Sequence, residues 1–150
     1  MRRCAVLFLL PALCMGSSVW GDDVAKSELQ LFQGTWQPVF ARNLEGKLTS
    51  EEDLKSVRLV VKGNQFTLTD KDTSLSGTFT IDASKTPKTI DFRLADSKSP
   101  DEKFPGVYEI LGERRLSCFA LPKQERPRAV RPTEIKGYLM FEWKRAPAVQ

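Results

Sequence analysis

The sequence predicts an all-β protein: an antiparallel up-and-down β-barrel of about eight strands with one or two short helices. Three observations carry this. Apolar and polar residues alternate with period two in run after run between Thr35 and Arg145. Short turn-forming stretches, such as Gly63-Asn64 and Gly112-Glu113, separate the runs, so consecutive runs pair as hairpins. Hardly any stretch carries a helical period. An open meander would leave two rows of unpaired backbone groups, and closing it on itself removes both. A barrel of this size encloses its own side chains or one small ligand.

Residues 1–21 stand apart. Arg2 and Arg3 precede the apolar run from Cys4 to Cys14, which is too short to span a bilayer. Small residues follow, with Val19 and Gly21 three and one positions before Asp22. That is the build of a cleaved secretory signal. An uncleaved anchor is the alternative. Lipoprotein processing fits poorly, because Leu13 stands where a small residue is needed before Cys14. The expectation is export, to the periplasm or beyond, with no transmembrane segment left after cleavage.

The remaining elements follow in order. Residues 22–30 form a lead-in; Val24 and Leu29, with Leu31 and Phe32 just beyond it, are set among polar residues, as a short helix or an extended segment. The barrel domain covers 31–145, and 146–150 is a tail. "TWQPVFAR" is the first strand, and Pro38 marks an edge or a bulge because it has no amide hydrogen to donate. "NLEGK" is a turn. Ser50, with Asp53 three residues on, caps a short helix. "VRLVVK" and "QFTLTD" alternate on either side of Gly63-Asn64. "DKDTS" has calcium-like oxygens but lacks the binding loop's Gly and distal Glu, so it reads as a hairpin turn. "SLSGTFTID", "KTIDFRL", "GVYEIL", "RLSCFAL" and "GYLMFEWKR" complete the strands. A polar loop, "ADSKSPDEK", and a basic loop with three prolines, Pro122 to Pro132, interrupt them.

Composition removes several functions. The chain has 23 Lys+Arg, 19 Asp+Glu and no His. Losing the leader removes two Arg and no acid, leaving 21 against 19, a net charge of +2. Nucleic-acid binding therefore gains little support. Without histidine, Ser-His and Cys-His catalysis and histidine metal sites are excluded. Two of the three cysteines lie in the leader, so Cys118 has no partner for an internal disulfide and reads as a small buried hydrophobe. No nucleotide-binding glycine pattern is present. No cofactor and no metal are expected.

Gly34-Thr35-Trp36 at the first strand resembles the Gly-x-Trp motif of lipocalins. Further along, "EEDLKSVRLVVKGNQFTLTD", "PKTIDF", "GVYEI", "LSCFA" and "RPTEI" together resemble the planctomycete lipocalin-like domain family of unknown function, over roughly Leu31 to Lys144. The resemblance implies that Trp36 plugs the closed end of a barrel. It also implies that a basic side chain near the end of the last strand, Lys144 or Arg145, packs over the indole. Phe32, where that family often has a small or polar residue, and the long "ERPRAVRPTE" loop depart from it. The family carries architecture and an exported setting, but no activity.

The candidate ligand or partner residues are Thr89, Asp91, Tyr108, Arg131 and Glu134. Thr89 and Asp91 are either solvated outer-face positions or a polar patch at the barrel mouth. Arg131 and Glu134, around Pro132, form either a structural ion pair or part of a loop site. Tyr108 and Glu109 are neighbours on one strand, so they face opposite sides. Trp36 and Trp143 are read as core. Non-enzymatic binding of a small apolar ligand or an envelope protein, by a monomer, is the leading expectation. A structural or interaction domain with a filled barrel is the alternative, and carboxylate catalysis by Glu109 with Asp91 is disfavoured. Interior volume separates the first two: Phe66, Phe79, Phe92, Phe119 and Phe141 either fill the barrel or leave a cavity of roughly 300 Å3 or more.

Overall fold

A computed structural model describes residues 20–147 apart from Pro100, with side chains described from Asp23 onward. The leader read over 1–21 lies outside the described residues except for the backbone of Trp20 and Gly21, and so do residues 148–150 of the tail. Helix α1 (Trp20–Gln30) leads into β1 (Gly34–Arg42), α2 (Glu51–Ser56), β2 (Val57–Lys62), β3 (Gln65–Asp70), β4 (Thr73–Asp82), β5 (Lys88–Leu94), β6 (Phe104–Leu111), β7 (Arg114–Ala120) and β8 (Tyr138–Arg145). Each strand pairs antiparallel with the next, and β8 returns to β1. The result is a closed eight-stranded up-and-down barrel.

Local chemistry explains the joints. Gly63 takes a φ of +60° between β2 and β3, whose register runs from Val57↔Asp70 to Lys62↔Gln65. Such a turn matches the twist of the strands that it joins. The β1–β8 register shifts between Pro38 and Phe40, so the residue that cannot donate sits at a bulge. Ser50 caps α2 by accepting from the Asp53 amide at 3.2 Å, and its hydroxyl donates to the Asp53 carboxylate at 2.7 Å. The "DKDTS" stretch is the β3–β4 hairpin turn, with Lys71 at a φ of +48°. The lead-in, read as helical or extended, is helical. Strand β6 starts at Phe104 and takes in Pro105, two residues ahead of "GVYEIL".

The even-numbered hairpins, β2–β3, β4–β5 and β6–β7, turn at one end, beside the start of β1 and the end of β8. Helix α1 joins them there through Glu28 and the residues just after the helix. The other end carries α2, the β3–β4 turn, the 95–103 loop and the long 121–137 segment.

Strand β7 is buried on both sides from Arg115 to Ala120. Arg115, Ser117 and Phe119 face the lumen. Cys118 faces outward and joins Val107 and Met140 in a second apolar cluster, against which Phe40, Val130 and Tyr138 pack. Val130 belongs to the 121–137 segment, so that segment folds back over the barrel wall. Pro127 is fully buried, and Arg126 Nη1 donates to the Gly106 carbonyl at 2.7 Å. The basic, proline-containing loop is therefore a packed cover.

Candidate functional site

The inward positions of the strands line a partly open cavity of about 190 Å3. Its wall is almost wholly hydrocarbon. Apart from the Trp143 indole, the polar side chains on it are Tyr108, Arg115 and Ser117. Phe66, Phe79, Phe92, Phe119 and Phe141 all reach the cavity and take up much of the lumen. Phe92 meets Phe119 edge-on at 4.8 Å and stacks on Phe104 at 4.4 Å. The barrel is thus neither solid nor as roomy as the 300 Å3 lower bound of an ordinary ligand pocket.

Trp36 closes the floor. It is fully buried, and its Nε1 donates to the Phe32 carbonyl at 2.8 Å. The guanidinium of Arg145 lies over the indole, 4.4 Å from the ring centre. Its Nη1 donates to the Gln33 carbonyl at 2.6 Å and its Nη2 to the Leu31 carbonyl at 3.2 Å. Arg145 therefore ties the end of β8 to the segment between α1 and β1. Lys144, the other basic candidate, alternates to the opposite side of β8 and is exposed. Gly34 takes a φ of +107°, where other residues are strained, and a Cβ there would come within 3.1 Å of Arg145 Nη1. The glycine of Gly-x-Trp is set by that crossing.

A second guanidinium shares the indole. Arg115 is 5% exposed and lies 4.7 Å from the Trp36 ring centre, 4.9 Å from Phe32 and 5.9 Å from Trp143. Burial pushes its pKa down, to about 9, and the like charge of Arg145 adds to this. A guanidinium so placed is still a cation at neutral pH. Contacts with aromatic faces return about 2 kcal/mol when desolvated, against several kcal/mol for burying one ion.

Buried Glu28 links α1 to the same end of the barrel. It accepts from Lys88 Nζ at 2.7 Å and from the Tyr108 hydroxyl at 3.0 Å. Burial first, and the bond to Glu28 second, hold the Tyr108 phenol well above its ordinary pKa, so it remains a proton donor. Tyr108 also meets Phe32 edge-on at 4.9 Å.

The five candidates from the sequence do not gather at one place. Tyr108 lines the lumen. Thr89 is half-buried and paired with Val107. Asp91 points out of the barrel, where Arg126 Nη1 lies 2.7 Å from its Oδ1 and Lys103 Nζ 3.6 Å from its Oδ2. It anchors the cover segment. Arg131 is exposed and 3.6 Å from Glu142, and Glu134 is exposed. Glu109 is exposed on β6, four register positions beyond Pro105, the partner of Asp91. Among the described residues no three Cys, Asp or Glu side chains are gathered in a way that could hold a metal ion.

Arg115 and Glu28 escaped the sequence reading. Arg115 shares the alternation of Phe119, so period two alone points it inward. It opens the strand "RLSCFAL" beside a turn, and no role was assigned to it. Glu28 had no local signal, because its partners lie on β5 and β6.

Fold and floor together define a closed, lipocalin-like up-and-down barrel with a stoppered end and an apolar lumen. No protein-family model matches the chain, and no curated protein matches it significantly.

Proposed function

We propose that the protein is an exported, non-catalytic binding module that holds one small, mostly apolar molecule in its barrel. The cavity of about 190 Å3 and its hydrocarbon wall carry this reading. A dry cavity of roughly 150 Å3 suffices for benzene. The occupant is therefore limited to about ten non-hydrogen atoms, smaller than the drug-sized ligands of larger pockets. The non-catalytic part is supported by the missing histidine, the outward-facing Asp91 and the buried Cys118, whose thiol burial pushes up to about 12. The leader-like residues 1–21 support export.

Native mass spectrometry of protein purified from its own envelope fraction tests this, together with thermal unfolding in the presence of toluene. Binding only to the folded state raises its stability with ligand concentration. A small co-purified mass, or a rise in Tm that saturates with toluene, is expected. The protein emerging empty, with no stabilisation by any benzene-sized probe, would refute the reading. The second reading, an interaction domain, is favoured by the phenylalanines that crowd the lumen. It predicts that widening the cavity leaves partner binding unchanged.

A further inference from the structure

The occupant's charge follows from one buried cation at the closed end. There Glu28 has Lys88 at 2.7 Å, Glu113 has Arg145 at 3.1 Å, and Asp82, at the β4–β5 turn, accepts from Ser84. Arg115 is bonded to none of these. Among the described residues it has no carboxylate within 4.0 Å and no hydrogen-bond acceptor, although it is buried and lines the cavity. Ser117, two residues up the same inward face, is also buried on the cavity wall, and its hydroxyl has no partner among the described residues. Buried cations are ordinarily paired, and buried hydroxyls ordinarily bonded. Aromatic faces soften the position of Arg115 but accept no hydrogen bond of normal strength.

Resting on the reading above, we propose that the lumen takes a small monocarboxylate whose head group is received by Arg115, with Ser117 beside it, and whose apolar tail points toward the opposite end. One guanidinium fork matches the two oxygens of one carboxylate. A phosphate dianion would keep a charge that this site cannot match. The head lies near the floor, because Arg115 is at the β6–β7 turn and contacts Trp36. The tail runs toward Leu68 and Leu75, cavity residues that pair with each other near the β3–β4 turn. The volume fits benzoate or a six-carbon acid, since benzene occupies a cavity of roughly 150 Å3.

Calorimetric titration of the intact protein at neutral pH with benzoate and with benzyl alcohol, its near-isosteric neutral counterpart, tests the proposal. Benzoate is expected to bind at least about tenfold more tightly, as a charge-assisted pair in an apolar site should. Arg115→Met is expected to abolish that preference while still binding benzyl alcohol. Equal or tighter binding of benzyl alcohol by the wild-type protein overturns the anion anchor and leaves the lumen site standing. A benzoate preference that survives in Arg115→Met also overturns it, because the carboxylate is then held elsewhere. Binding of neither probe at millimolar concentration removes the lumen site as well. The wild-type comparison needs no variant, so failure of Arg115→Met to fold does not shelter the proposal.

Discussion

Two adjacent basic residues, Lys144 and Arg145, differ only in the side of β8 to which alternation sends them. Arg145 reaches over Trp36 and donates to two carbonyls, whereas Lys144 is exposed. Arg145→Ala is expected to lower stability by about 1–3 kcal/mol, the sum of a partly desolvated cation–π contact and charge-assisted hydrogen bonds. Lys144→Ala should stay within about 0.5 kcal/mol, as surface changes usually do. Urea unfolding of both variants checks this, and similar losses would contradict the assignment. At this scale the sequence is informative where a residue has a positional rule. Gly34 and Trp36 could be placed because a glycine before an inward indole is a recognisable pattern. Arg115 could not be placed by type, since arginine is rarely buried without a partner. Only its parity with Phe119 pointed inward.

Among the elements, β7 departs furthest from the simple pattern of one dry and one wet face. Val130 of the 121–137 segment packs against its outward Cys118, so both faces are buried from Arg115 to Ala120. The nearly unbroken run "LSCFAL" was the signal for this, because a strand buried on both sides loses its alternation. The cover itself was not legible. Its prolines and charges read as a loop, and its anchors, Gly106 and Asp91, are distant in sequence. The hairpins were legible because each is set by local turn chemistry and period-two patterning. Packing against β7 also constrains β6. A Cβ on Gly106 would collide with the Phe119 ring and approach the Cys118 carbonyl oxygen to 2.7 Å. Gly106→Ala should therefore destabilise by about 1–3 kcal/mol through overpacking, although alanine suits strand geometry better. A thermal or urea midpoint equal to that of the wild type would show that β6 and β7 are not so closely apposed.

For the molecule as a whole, closure brings distant parts of the chain together at one end. Trp36 joins the segment after α1, the start of β1 and the end of β8, with Arg145 and Arg115 both against its ring. Trp36→Ala is expected to cost about 3–5 kcal/mol, the usual range for deleting a buried aromatic. A loss below about 1 kcal/mol in equilibrium unfolding would mean that the indole is not the stopper. Closure was readable from the count of alternating runs, because an open meander of that length leaves two bare edges. The interior volume was not readable, because it depends on how five phenylalanines interlock. That volume decides between a container and a filled scaffold. Methyl NMR during a toluene titration tests which it is most directly. The account predicts shifts concentrated on the lumen methyls of Leu59, Val61, Leu75, Ile90 and Leu139, all of which line the cavity. Shifts confined to exposed Val39, Leu48 and Ile135, or no shifts at all, would contradict it.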